Sequence, residues 1–303
     1  MNMAQTPTAA ALLERLAIAY RIPYSAGSPP AAQQLRTPHG LTLSFIDWGR
    51  EGPPVLLLHG GSLTAHTWDL VCLALRNEFR CVAVDLRGHG ESEWAGNYAI
   101  NAHILDISAV IEHFRWASVH LVGMSLGAVI AAHYAATGDD RIASLTMVDT
   151  GPKPDFEQTA GMRSFMAKPI AHLTLEELAE AAVKVAGRDE YDKILYRYMH
   201  MTSATADGQL AWRHDQRRRR PSDYAYLLNK IDELEFLAPA MTCKVLIARG
   251  GRSRIVTDEK VAAFAALFHD ARGVTIPDAG HNVQEDNPVA LVRALRDFLS
   301  STA

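Results

Sequence analysis

Residues 119–132 read Val119-His120-Leu121-Val122-Gly123-Met124-Ser125-Leu126-Gly127-Ala128-Val129-Ile130-Ala131-Ala132, and this stretch decides the fold. An apolar run suited to a buried strand gives way to Gly-Met-Ser-Leu-Gly, and that in turn to a small-residue helix pattern. This is G-x-S-x-G in a strand–turn–helix setting. The sharp turn of that setting leaves the Ser125 hydroxyl exposed at the carboxyl end of a sheet, where it can act as a nucleophile. Gly123 and Gly127 suit the turn because a side chain at either position crowds the neighbouring strand or helix. With Gly at about 7% of residues, the pentad arises by chance in roughly one chain in ten of this length, so the weight falls on what surrounds it.

Outward from the turn, the pattern repeats. Val55–Leu58, Cys81–Val84 and Leu145–Val148 are further short apolar runs, and residues 41–48 read as a strand ending at Trp48-Gly49. Helical stretches separate the runs near 66–78, 100–116 and 126–137. Such alternation implies βαβ units and a mostly parallel, doubly wound α/β sheet. It stops at Gly151-Pro152. Residues 152–236 hold helical patterns, a capping-box spacing at Thr174-Leu175-Glu176-Glu177 and many Met, Tyr and Trp residues, but no core strand. The sheet pattern resumes at Cys243–Ala248. A helix follows near 258–268, a strand at 273–276 and a last helix at 288–299, which Asn287-Pro288 opens as N-cap and first helical residue. The expected organisation is an N-terminal helical arm (1–34), a sheet core (35–151 and 237–303) and a helical cap (152–236).

The bulk properties narrow the function. The chain has 303 residues, 48% hydrophobic and 21% charged, with a net charge of −4, which argues against general nucleic-acid binding. Cys72, Cys81 and Cys243 are odd in number and widely spaced, which fits small buried hydrophobes rather than a disulfide framework or zinc spacing. Residues 1–20 lack a basic start, and no apolar run approaches about 20 residues. A cytoplasmic protein is expected. No phosphate loop, dinucleotide fingerprint or metal cluster is legible, so neither cofactor nor metal is expected. The partner is a small-molecule substrate, and a homodimer stays open.

Four segments fall at predicted strand ends, where open α/β sheets bind ligands: His59-Gly60-Gly61-Ser62, Asp85-Leu86-Arg87-Gly88-His89-Gly90-Glu91-Ser92, Gly123–Gly127 and Gly280-His281-Asn282. Together they resemble the α/β-hydrolase family, in particular its small capped esterases, lactonases and carbon–carbon bond hydrolases. The resemblance covers about residues 35–151 and 240–300. It implies Ser125 as nucleophile, His281 as base and a helical cap inserted after the sixth strand. The residues agree with those roles. Serine is a poor nucleophile until a neighbouring base takes its proton, and His281 alone among 13 histidines sits in a Gly-His turn after the last strand. The oxyanion hole is expected to use the N–H of Leu126 and one from the loop after His59-Gly60, with Gly61 favoured and Ser62 second.

The acid is the open position. Most family members carry it just after the strand that follows the cap, but Arg249-Gly250-Gly251-Arg252-Ser253-Arg254 has no carboxylate. Two carboxylates are candidates, with another group or none as the third possibility. Asp149 ends the strand before the cap, an alternative position in the family, and is favoured. Asp258 starts a helix, where the helix dipole already explains an acid.

Other features read as structural. The Asp85–Ser92 loop braces the active-site face, with His89 a hydrogen-bonded loop residue. His59 is a structural histidine and His120 a satisfied core side chain. Arg217–Arg220 reads as a solvated cap face, with attraction of an anionic substrate as the alternative. Arg252 and Arg254 fit either an anionic substrate group or salt bridges to the cap. The leading function is a cofactor-independent serine hydrolase of small apolar esters or lactones. A carbon–carbon hydrolase and a non-catalytic ligand receptor are the alternatives. Epoxide hydrolases and dehalogenases are disfavoured, because those relatives use Asp where Ser125 stands.

Overall fold

The apolar runs become strands because each is long enough to cross a sheet and apolar enough to be buried on both faces. The computed structural model describes residues 6–49, 51–187, 190–218 and 221–301. Its strands are β1 (Gln33–Arg36), β2 (Thr42–Asp47), β3 (Pro54–Leu58), β4 (Arg80–Val84), β5 (Val119–Met124), β6 (Ile142–Val148), β7 (Thr202–Ala204), β8 (Leu210–Trp212), β9 (Lys244–Gly250) and β10 (Ala271–Ile276). Eight of them form one sheet in the order β1-β2-β4-β3-β5-β6-β9-β10. β1 and β2 run antiparallel to their neighbours, and β4, β3, β5, β6, β9 and β10 are parallel. This is the α/β-hydrolase arrangement. The chain steps from β3 to β4 and then back across to β5, so the strand order reverses around β3, where crevices open at the carboxyl ends.

Side chains alternate across the sheet. Val55 and Leu57 face one apolar cluster, which also takes the helices Ala9–Ala19, Asp69–Leu75 and Pro288–Leu299. Leu56 and Leu58 face the other, with the helices Ile100–Phe114, Leu126–Ala135 and Asp258–Ala265. Between β6 and β9 the chain forms helices at Ala160–Met166, Leu175–Ala186, Tyr191–Met201, Pro221–Asp232 and Leu234–Leu237, with the β7–β8 hairpin apart from the main sheet. Leu178, Ile194 and Tyr198 of this segment join the first apolar cluster, and Ile231 and Leu234 join the second.

Local signals are realised closely. Thr174 and Glu177 make a reciprocal capping box, and the Asn287 side chain caps Pro288–Leu299. The N-terminal helix packs on Tyr191–Met201 and on Asp69–Leu75. Three strands lacked a signal: β1 in the main sheet and the short β7–β8 hairpin apart from it. β1 is a polar, mostly exposed edge without the apolar alternation that marks a strand, and it straddles residue 34, the expected end of the arm. No helix among the described residues is long and apolar enough to cross a membrane.

Candidate active site

Ser125 sits between β5 and the helix Leu126–Ala135 with φ 50° and ψ −116°, a conformation that costs a non-glycine residue about 1–3 kcal/mol. Its surroundings hold it there. The Ser125 N–H donates to Val148 C=O at 3.1 Å, and its own carbonyl accepts from Ala128 and Val129 at 3.0 and 3.1 Å. The flanking glycines are required by contact. A Cβ on Gly123 would lie 2.3 Å from the Gly127 carbonyl oxygen, and one on Gly127 would lie 2.2 Å from that of Leu58. Strand and helix therefore meet at backbone distance, which makes the turn sharp.

His281 follows β10 and is reached by Asp149 from the end of β6. The His281 Nδ1 and the Asp149 Oδ2 are 2.8 Å apart. Asp149 is fully buried and has further partners. Its Oδ1 accepts from the Gly250 N–H at 2.9 Å, and its Oδ2 accepts from the Ser253 hydroxyl at 2.6 Å. Asp149 thus faces the histidine from the strand neighbouring β5. Asp258 lies elsewhere, with a side chain 66% exposed and an ion pair of 2.7 Å to Arg249. Thr275 and Arg249 hold its carboxyl below the usual range. Of the two acid candidates, only Asp149 is brought to His281. Ser253 carries no charge and went unread, yet it stands in the loop where most of the family has its acid, and here it serves the carboxylate that reaches in from the other side.

The loop after β3 lies beside Ser125, for a Cβ on Gly60 would be 3.4 Å from that of Ser125. A Cβ on Gly61 would meet nothing within 4 Å, and Ser62 has φ 66°. Leu126 opens its helix directly after Ser125. His59 anchors the loop: its Nε2 accepts from the Leu86 N–H at 3.0 Å, which leaves Nδ1 to donate to the Gly60 carbonyl at 2.7 Å. Burial, then the nearby His89, pushes its pKa well down. It is a neutral strut, as read from the sequence.

The Asp85–Ser92 loop braces this face. Asp85 accepts from the Ala65 and Glu91 N–H groups at 2.7 and 3.0 Å, and Arg87 makes a buried two-point pair with Asp106. His89 contacts the Arg87 carbonyl at 3.1 Å, and His120 pairs with the Ser144 hydroxyl at 2.8 Å. Arg217 pairs with Asp215 and lies over the Trp94 ring, while Arg219 and Arg220 lie outside the described residues. Arg252 donates to the Asp278 carbonyl, so it is not a salt bridge to the cap. Arg254 is exposed. Phe156, shortly after β6, approaches the His281 ring edge-on at 6.4 Å. All three cysteines are free.

One group of residues was not legible in advance. Lys193, Tyr196, Arg197 and His200 are spaced i, i+3, i+4, i+7 on Tyr191–Met201 and share one helix face. Lys193 bonds Asp286 at 2.7 Å, and the other oxygen of Asp286 accepts from the Gly280 N–H at 2.8 Å, next to His281. Arg197 pairs with Glu285, Tyr196 donates to Asp69, and the His200 ring stacks on that of His66, with centroids 3.5 Å apart. The signal was present as a polar stripe at helical spacing.

Comparison with known proteins agrees with this architecture. A family model described as the alpha/beta hydrolase fold matches residues 53–288. The chain is 31% identical over 268 residues to esterase Rv0045c of Mycobacterium tuberculosis, covering 86% of this chain and 87% of that one. It is 28% identical over 270 residues to the 2-(acetamidomethylene)succinate hydrolase of Mesorhizobium japonicum, covering 86% and 92%. A crystal structure of Rv0045c superposes with a TM-score of 0.77 at 26% identity, covering 98% of this chain and 99% of that one. On a family match that spans most of its length, this chain belongs to the α/β-hydrolase fold family.

Proposed function

We propose that this protein is a serine hydrolase of small carboxylic esters or lactones with an apolar body. The observation that carries the reading is the 2.8 Å Asp149–His281 contact, made by the residue next to Val148, whose carbonyl accepts from the N–H of Ser125 in its strained turn. With its Nδ1–H given to Asp149, the His281 ring keeps Nε2 as the basic nitrogen, ready to take the Ser125 proton. Ser125 then attacks the carbonyl carbon. The N–H groups of Leu126 and of Gly61 or Ser62 stabilise the oxyanion. His281 protonates the leaving oxygen, then activates the water that releases the acyl group. The residues 152–236 roof the site and supply its apolar wall. The relatives named esterase and succinate-derivative hydrolase favour hydrolysis over a receptor role.

Ser125→Ala should abolish turnover of p-nitrophenyl esters with the fold intact by circular dichroism, and should abolish labelling by a fluorophosphonate probe. His281→Ala should match it closely, since residues acting as a unit are non-additive. Hydrolysis at the wild-type rate by a contaminant-free Ser125→Ala preparation would sink this mechanism.

A further inference from the structure

A second constellation lies where the cap helix Tyr191–Met201 meets the segment that follows the oxyanion loop. His66 and Asp69 come from residues 65–75, just after that loop, and His200 comes from the helix. One ligand atom from each of the three lies within 4.8 Å of the others. They line a cavity of about 20 Å³ together with Tyr196, Thr67 and Leu63, room for roughly one water-sized particle. Two of the polar atoms here have no partner. Asp69, 1% exposed, uses Oδ2 for the Tyr196 hydroxyl and the His66 ring, while its buried Oδ1 has no hydrogen bond, and the buried Nε2 of His200 has none either. A buried carboxylate oxygen without a partner is left with its full desolvation cost, and a cation is the group that best satisfies one beside two imidazoles.

We propose that His66, Asp69 and His200 form a binding site for a single divalent transition-metal ion of the Zn²⁺, Co²⁺ or Ni²⁺ class. Two imidazole nitrogens and one carboxylate oxygen suit these metals, whereas Mg²⁺ and Ca²⁺ want all-oxygen sets. Metal–nitrogen bonds are about 2.0–2.1 Å, which sets tetrahedral donors about 3.4 Å apart, so ligand atoms now within 4.8 Å of one another must close by up to about 1.4 Å. The His66 ring must also turn about its Cβ–Cγ bond, out of its stack with His200 and away from Asp69 Oδ2. His66 can do this because its side chain is 20% exposed. Asp69 supplies Oδ1 and keeps Tyr196 on Oδ2. The bound ion joins two elements that touch the catalytic face, the cap helix and the continuation of the oxyanion loop. It therefore fastens the cap to the core without itself contacting Ser125. The Asp149–His281 pair is the competing site for an added metal, and the experiment must separate the two.

The test titrates chelator-treated, full-length protein with Co²⁺ alone, read by its visible absorption and by calorimetry, and repeats the titration on His200→Gln, His66→Gln and His281→Gln. One equivalent should bind the wild type and His281→Gln alike, and each of the first two substitutions should weaken binding roughly 100-fold or more. Should His200→Gln fail to fold, histidine-selective ¹⁵N spectra of the wild type with Zn²⁺ give the same answer, with two ring systems shifting at one equivalent and His281 unmoved. Metal should also slow amide exchange in Tyr191–Met201. Binding lost only in His281→Gln, shifts confined to His281, or no binding at millimolar metal would each overturn the proposal. None of these outcomes depends on the hydrolase reading, which Ser125→Ala tests separately.

Discussion

The sheet and the helix Tyr191–Met201 solve the same packing problem with different chemistry. β3 buries Val55, Leu56, Leu57 and Leu58 completely, and helices seal both faces with aliphatic side chains. The helix also buries Ile194, Leu195 and Met201 in the apolar cluster, but along one face it docks through Lys193, Tyr196, Arg197 and His200 onto Asp286, Asp69, Glu285 and His66. An apolar interface is non-directional and is worth about 25 cal/mol per Å² wherever it forms. A charged seam contributes little net stability, since desolvation offsets the attraction, but it punishes misalignment severely. The difference teaches that the sheet supplies stability while the seam supplies registry. The seam fixes registry where it matters, because Asp286 also holds the backbone next to His281.

The largest expected effect lies at the sheet's carboxyl edge, where body and seam meet. Asp149→Asn should lower kcat by about 10⁴ with little change in KM, because an amide no longer fixes the histidine tautomer or stabilises the imidazolium. Asp258→Asn should stay within a few-fold of wild type, its carboxylate being exposed and paired with Arg249. Ser253→Ala removes one hydrogen bond to a charged acceptor, worth about 1.5–3 kcal/mol, and should fall between them at a tenfold to hundredfold loss. Steady-state kinetics on the three variants under one set of conditions checks the order. A crippled Asp258→Asn beside a healthy Asp149→Asn would place the acid on the other side of the histidine.

Next in size is a break in the seam itself. Lys193→Met leaves Asp286 a buried carboxylate without its cation, which typically costs 3–5 kcal/mol. Hydrogen exchange should quicken first in Tyr191–Met201 and around Gly280, while amides of β3 and β5 keep their protection. Uniform loss of protection across the sheet would show that seam and body open together, and the division drawn here would fail.

The parts of the molecule that could be read in advance are those whose chemistry is local in sequence. Ser125 in its glycine turn, the capping box at Thr174 and the Asn287-Pro288 helix start each announce themselves within a few residues. The parallel strands do so through apolar runs. Asp149 was reachable only through the absence of an acid at 249–254, because the fold rather than the spacing brings it to His281. Ser253, Asp286 and the His66–Asp69–His200 group were out of reach. Each meets at least one partner more than 90 residues away, and a polar residue on a helix face gives no sign of whether it meets solvent or a buried carboxylate. β1 escaped for the reverse reason, since hydrogen bonding to β2 makes it a strand while its side chains remain exposed.

A smaller effect separates the two regions by pH. Burial holds His120, in the sheet, down to about 4, and it lowers His59, His133 and His200 as well. In the unfolded chain these rings take up protons near pH 6.5. The unfolded state therefore binds more protons than the native state between pH 6.5 and about 4, and stability present above 6.5 drains away as the pH falls through that window. His66 and Asp85, both raised, oppose the trend. For His120 the difference is worth about 3 kcal/mol at most. Urea midpoints at pH 7.5 and 4.5 should differ markedly in the wild type and less in His120→Asn. An unchanged difference would mean that the buried rings outside the sheet carry the acid sensitivity.

The smallest contrast compares two helix caps that make the same kind of bond in different regions. The Thr174 hydroxyl accepts from the Glu177 N–H at 3.2 Å at the start of Leu175–Ala186, between β6 and β9, and the Asn287 side chain accepts from the Ala290 N–H at 3.1 Å at the start of Pro288–Leu299 on the sheet. Either substitution to Ala costs about 1 kcal/mol of helix stability. Where that loss appears depends on what else the helix must break in order to open. Pro288–Leu299 buries Leu291, Leu295, Phe298 and Leu299 against the body, so it opens only with the sheet, and Asn287→Ala should lower the global melting temperature by about 2–4 °C. Leu175–Ala186 buries only Leu178, Ala179 and Ala182, so it opens on its own. Thr174→Ala should leave the melting temperature nearly fixed and speed amide exchange in that helix about fivefold, the factor that corresponds to 1 kcal/mol. Equal melting shifts from the two variants would make the two helices parts of one cooperative unit, tied together through the apolar cluster that Leu178, Ile194 and Tyr198 share with the body.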